Sequence, residues 1–219
     1  MARRTTVTAA ACTLAAAALV LTACGGGGDK KIAATTTGTP AGAPSASATT
    51  APPTTTSAPG APTFDFPPDV KVVVDPDTTG DAVKDAVLRD QGYGLQAIFL
   101  AIAKLDPAVT QFHRYVIESA AEDWSSKIGW GKSNHESITG TVLFYDRKVN
   151  VTGATTAGVT FCQSERNSHG KDTKSGKAIM TAPSLDDFTF HTVLMRKSAD
   201  GTWQMANYKS QDRAKSCER

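Results

Sequence analysis

Residues 25–63 are built almost entirely of Gly, Ala, Pro, Ser and Thr; the exceptions are Asp29, Lys30, Lys31 and Ile32. A segment with no apolar periodicity has nothing to bury, so it cannot offset the conformational entropy that folding costs. Any packed core must come from the about 155 residues that follow, Phe64 to Arg219. That length predicts one domain, large enough to bury most of its apolar surface. The segment before it reads as a linker with an r.m.s. span of roughly 35 Å, and its Thr, Ser and Pro content also suits O-linked sugar.

What precedes the linker explains why the chain has one. Arg3 and Arg4 are followed by an apolar stretch, the core of which runs from Leu14 to Ala23. A short charged segment before an apolar run is the pattern of a secretory signal. The run is too short to span a bilayer comfortably, which takes roughly 20 residues. It ends in Leu21-Thr22-Ala23-Cys24. Those four residues resemble, position by position, the lipobox of bacterial lipoproteins. The resemblance implies that the Cys24 thiol takes an acyl-glyceryl group and becomes the new N-terminus. The expected organisation is a signal peptide over 1–23, a lipidated Cys24 and linker over 24–63, and an α+β domain over 64–219. The expected location is the extracytoplasmic face of the cell membrane, with the lipid on Cys24 as anchor and membrane partner.

Charge narrows the partners. The chain carries 23 Lys and Arg against 21 Asp and Glu, a formal +2. Two of the positive charges lie in the expected signal, so the remainder is near neutral. No basic stripe marks a nucleic-acid footprint. The cluster Lys171, Lys174, Lys177 is diluted by Asp172 and reads as a solvated loop. Of four cysteines, Cys12 leaves with the signal and Cys24 is committed to lipid. Cys162 and Cys217 remain as an even pair in an exported chain, where a disulfide is expected.

Along the domain, Val70–Val74 is a β-branched run bounded by prolines, an extended lead-in or an edge strand. Thr78 to Asp81 then opens a helical pattern with Val83, Val87, Leu88, Leu95, Ile98, Phe99 and Ile102 at helical spacing. Gly92 and Gly94 are expected to weaken or kink it. Asp106-Pro107 predicts a second helix start, carrying Val109, Phe112, Val116, Ala120, Trp124 and Ile128 and closed by Gly129 and Gly131. After Asn134 the period becomes two. Strands are expected over 137–153 and up to about Cys162, with a polar loop over 165–178. The runs around Phe188–Lys197 and Thr202–Gln211 flank Ala199-Asp200-Gly201 as a hairpin. Helices first and strands after predict α+β: two or more N-terminal helices packed on a curved antiparallel sheet.

This order, together with Val159–Cys162, Asp200–Met205 and a central-strand Cys paired with a C-terminal one, resembles small secreted lipoproteins of high-GC Gram-positive bacteria. Those carry a nuclear transport factor 2-like, or SnoaL-like, cone fold. The resemblance implies a pocket between sheet and helices. Ketosteroid isomerases of this fold place an Asp base, a Tyr and a protonated acid there. Candidates for such roles are Asp146, Tyr145, His113, Tyr115, Glu118 and His191. Tyr145 and Asp146 are strand neighbours that point to opposite faces. His113 and Glu118, five apart, share no helix face. His191 alternates out of phase with Phe188 and Phe190. No nucleophile, phosphate-binding or metal-ligand motif is present. The expectation is therefore a binding module for a small apolar ligand or an envelope protein, with no catalytic, metal or cofactor residues assigned. An isomerase or hydrolase is the alternative, and a component of a cell-envelope complex the third. Trp124 is expected in the core, and Trp130 in the core or on an exposed docking patch.

Overall fold

A computed structural model describes residues 60–76 and 78–219. The expected signal, Cys24 and nearly all of the expected linker lie outside the described residues. Among those described, no helix is long and apolar enough to cross a membrane.

The chain enters through strand β1, Val70–Val74, then builds three helices before returning to strands. Helix α1 spans Ala82–Lys104. Asp81 caps it by accepting from the amides of Val83 and Lys84, and Leu105 ends it in the left-handed conformation. Its apolar stripe, with Val87, Leu88, Leu95, Ile98 and Phe99, is fully buried. The expected weak point at Gly92 and Gly94 does not occur: the helix is continuous. Gly94 instead permits close approach, since a Cβ there would lie 2.6 Å from Met205 Cε.

The pattern from Pro107 to Ile128 predicts one helix; the structure has two, α2 (Thr110–Tyr115) and α3 (Glu118–Asn134). Between them Val116 is extended and bridges to Met205, and the Ile117 amide donates to the Met205 carbonyl at 2.9 Å. Two β-branched residues join the sheet there instead of continuing the helix. Asp106 closes a turn by accepting from the Ala108 amide. Gly129 and Gly131 lie inside α3, which ends at left-handed His135.

The sheet comprises β1, β2 (Glu136–Gly153), β3 (Thr156–Asp172), β5 (Phe188–Lys197) and β6 (Trp203–Asp212) in that order, with β4 (Ala178–Ile179) pairing to β3. It is mixed rather than wholly antiparallel: β1 runs parallel to β2, because a helical crossover separates them. Strand β3 does not stop near Cys162 but continues to Asp172, so half of the expected polar loop is strand. The β5–β6 hairpin turns over Ser198–Thr202 as expected.

Bulges bend the sheet and reset which residues face inward. One extra residue in β3 between Ser164 and Asn167 shifts its alternation against β2. Another in β2 sits at Asp146, which is left-handed and exposed. Beyond it, Arg147 turns inward and donates to the carbonyls of Leu88 and Asp75 and to Gln91.

The helices cover one face of the sheet, where the main core gathers Phe99, Phe112, Phe144, Phe161, Met195 and Trp203. The other face carries a smaller cluster of Tyr145, Phe188, Ala214 and the Cys162–Cys217 disulfide. The bridge pins the C-terminal tail over the strands, and the Tyr145 hydroxyl donates to the Cys217 carbonyl. The fold is α+β, with helices packed on one face of a curved sheet in the cone-like arrangement that the sequence resemblance implies.

Candidate functional site

The C-terminal ends of α1 and α3 do not close completely on the bent sheet. A pocket of about 530 Å³ remains between them. Phe99, Ile102 and Leu105 of α1 and Trp124, Ile128 and Trp130 of α3 form its apolar walls. Ser137 ties β2 to the end of α1 by donating to the Ala103 carbonyl at 3.0 Å, which holds the back wall. The strand side contributes Ile138, Glu165, Ser168 and His169, and the segment before β5 closes the rim with Thr181 to Asp187.

The polar groups follow from strand register. Phe161 and Gln163 alternate onto the inner face of β3, and Glu165 stands at the bulge that follows. Phe161 pairs with His191 on β5, and Val193 with Tyr208 on β6. The His191 ring lies 4.9 Å from the Phe161 ring and 5.1 Å from that of Tyr208. Trp124 meets Tyr208 edge-on at 5.3 Å. Neither His191 nitrogen, nor the Tyr208 hydroxyl, nor Gln163 Oε1 has a hydrogen-bond partner among the described residues, although all are buried. Such groups cost free energy unless something meets them.

Electrostatics single out Glu165. Glu165 is an exposed residue that lines the pocket, with its carboxyl among many protein atoms. Burial raises its carboxyl above the usual range, and the charges of Asp187 and Asp212 add to this. Gln163 Nε2, donating at 2.6 Å, acts in the opposite direction. Burial also raises the Tyr208 phenol strongly, with the Glu165 charge contributing. Burial, and then the Lys127 charge, pull His191 down to about 3. Lys127 itself sits 4.3 Å over the Trp124 ring. A carboxyl held toward its protonated form beside an apolar cavity can exchange a proton with a bound molecule or donate a hydrogen bond to it.

None of the six candidates read from sequence lines this pocket; His191 is separated from the lining residue Trp124 by the Tyr208 ring. It is 4% exposed and, as its strand alternation implies, on the face opposite Phe188 and Phe190. Tyr145 is buried on the far face of the sheet, and Asp146 is on the bulge. His113 is exposed, and Glu118 pairs with Arg196 at 2.9 Å. Tyr115 packs on Tyr93 and lines a smaller polar cleft with Arg89 and Arg114. Trp124 is half-buried against the core, whereas Trp130 is 60% exposed at the pocket rim. Glu165, Gln163 and Tyr208 were not among the candidates. Extending the alternation from Phe161 past Cys162 would have placed Gln163, whereas Glu165 stands at the bulge.

A buried histidine that stays neutral makes an acid-sensitive fold. Its folded pKa of about 3 lies below the ordinary 6.5. Between those values the unfolded chain binds a proton that the native state does not, so stability falls as pH falls. His191→Phe should keep the stack on Phe161 and remove this term. Relative to the variant, the wild type should lose about 2 kcal/mol between pH 7 and pH 5, read from urea unfolding at the two pH values. Parallel pH profiles for the two proteins would contradict it.

No family model and no curated protein matches this chain. Solved structures of similar arrangement include a ketosteroid isomerase-like protein from Erwinia carotovora atroseptica. It is 14% identical over 61% of this chain and 98% of its own, with a TM-score of 0.41. A scytalone dehydratase-like protein from Novosphingobium aromaticivorans is 7% identical over 57% of this chain and 83% of its own, TM-score 0.39. The intermembrane space region of chloroplast protein ARC6 is 12% identical over 56% of this chain and 92% of its own, TM-score 0.39.

Proposed function

We propose that this chain is an exported, lipid-anchored binding module whose pocket holds a small, largely apolar molecule with one hydrogen-bonding end. The observation that carries the reading is the pocket: aromatic and aliphatic walls from α1 and α3, with Glu165 on the strand side. Apolar walls with a few placed polar groups are the usual composition of a ligand site. Behind the lining, Gln163 contacts Glu165 and Tyr208 packs on Trp124, and both carry unpartnered buried polar atoms. The anchor is carried by the lipobox-like Leu21-Thr22-Ala23-Cys24 and the linker behind it.

Glu165 supports a second reading. A pocket-lining carboxyl whose proton affinity is raised by the protein around it is a candidate acid or base. The SnoaL-like resemblance leads to the same class, an isomerase that moves a proton on a small molecule.

Native mass spectrometry of residues 25–219, exported so that the disulfide forms, tests the first reading. A bound mass that organic extraction removes is expected. Ile128→Trp, which fills the pocket from α3, should abolish it. An empty pocket that takes up no apolar probe, such as an anilinonaphthalene dye, would overturn the reading. Glu165→Gln separates the two readings: a binder keeps its ligand unchanged, whereas an enzyme keeps binding and loses turnover. For the anchor, Cys24→Ala should release the protein from the detergent-soluble membrane fraction, and wild-type retention of that variant would refute the lipid.

A further inference from the structure

The charge lining the pocket is mostly negative. Four carboxylates, those of Glu136, Glu165, Asp186 and Asp187, stand against one lysine, Lys127. Two of the four are already held: Asp186 pairs with Arg213 at 2.7 Å, and Asp187 with Arg166 at 4.0 Å. Glu136 and Glu165 form no ion pair among the described residues. Lys127 neutralises neither, because its ammonium lies 4.3 Å over the Trp124 ring.

The two unpaired carboxylates differ in what they can offer. Glu136 lies flat on β3, where a Cβ at Gly170 would stand 2.8 Å from its Oε1. Glu165 is steadied through Oε1, which accepts from Gln163 Nε2 at 2.6 Å, and its Oε2 has no hydrogen bond among the described residues. A carboxylate oxygen can only accept, so what meets it must donate. Two further groups of the lining lack a partner. His169 Nδ1 is buried and unbonded. Ser168 is 7% exposed, and its hydroxyl has no bond among the described residues. Burial and the charges of Asp187 and Asp212 disfavour a charge on Glu165. A cation beside it offsets both effects, whereas an acidic ligand would add another like charge.

We propose that the pocket takes a monocationic amphiphile, an apolar body carrying one amine, with the ammonium on Glu165 and the body against Trp124 and Ile128. This rests on the reading of the pocket as a ligand site and names the chemistry of the ligand's polar end. An ammonium donates hydrogen bonds and accepts none, which matches the free Glu165 oxygen, and a charge-assisted bond is the strong kind. The wall is suited to a cation as well as to a hydrocarbon, since the Trp124 ring already carries the Lys127 ammonium on its face. Lys127 is the one lining group that favours an anion, and it is turned onto that ring.

The test titrates residues 25–219, exported so that the disulfide forms, with octylamine, octanol and octanoate near neutral pH in a calorimeter. The shared alkyl chain makes the apolar contribution common to all three, so the differences report the head group. Octylamine is expected to bind at least about tenfold tighter than octanol, and octanoate weakest. Glu165→Gln should still take up octylamine, with its advantage over octanol reduced to about twofold or less. Lys127→Gln should strengthen octylamine by about threefold, because it bares the Trp124 face and removes a like charge. Both positions are exposed, and thermal unfolding serves as the folding control. Octanol or octanoate binding as tightly as octylamine, or an amine preference that Glu165→Gln leaves intact, overturns the proposal while the pocket still stands as an apolar-ligand site. Uptake of none of the three overturns that reading too.

Discussion

Replacing Cys162 with Ala and Cys217 with Ser should lower the unfolding free energy by about 2–5 kcal/mol. The bridge spans a sequence separation of 55 residues. Closing a loop of that size restricts the unfolded chain enough to stabilise the fold by about 4 kcal/mol in the chain-entropy account. The native side points the same way. The tail after β6 lies across the outer face of the sheet, where Ala214 and Cys217 cover Tyr145 and Phe188. Without the bridge, the backbone bond from the Ala214 amide to the Phe188 carbonyl and the Tyr145 contact to Cys217 remain to hold it. Urea unfolding should show a lower midpoint, and dithiothreitol should bring the wild type to the same place. A wild type indifferent to reductant would contradict the assignment. Ligand retention below the transition should be unchanged, because the bridge and the pocket lie on opposite faces.

Gly140→Ala should destabilise by roughly 2–5 kcal/mol, combining left-handed backbone strain with overpacking. Gly140 has φ of +91°, and a Cβ there would stand 2.2 Å from the Asn167 carbonyl oxygen. That oxygen belongs to the backbone of β3 and cannot swing aside as a side chain could. The clash falls at the bulge that turns Ser168 and Gly170 toward the pocket, so loss of bound ligand should accompany the loss of stability. Gly158→Ala is the control. It lies in the same strand pair with nothing within 4 Å of its Cβ position. It should be neutral, or stabilising by up to about 1 kcal/mol through the unfolded state. Equal effects at the two glycines would show that the bulge does not matter.

Much of the fold was legible because local chemistry and tertiary outcome agree. Asp81 caps α1 where the cap residue stands, and the β5–β6 hairpin turns where Asp200-Gly201 stands. The pairing of Cys162 with Cys217 was expected by elimination, given the expected export, and the two are bridged. Errors arose where a local signal competed with packing. Gly92 and Gly94 read as points that weaken or kink the helix, yet they are where a Cβ on α1 would crowd Arg147 and Met205. The helix expected to continue through Val116 breaks because β6 offers that residue a backbone partner.

The sequence by itself determined what depends on neighbours along the chain: the α+β order, the start of α1 and the parity of each uninterrupted strand. It placed His191 opposite Phe190 on those grounds alone. Only the tertiary structure decided the site. Glu165 sits in a polar stretch that carries no apolar alternation, because one side of β3 there faces a pocket and the other faces water. Tyr208 and His191 come from two other strands, β5 pairing with β3 without interruption and β6 pairing with β5 through a bulge at Leu194/Met195. A one-residue bulge reverses every side chain beyond it. Such a reversal leaves no periodic mark in the sequence, so which polar groups meet across the pocket is fixed by strand pairing.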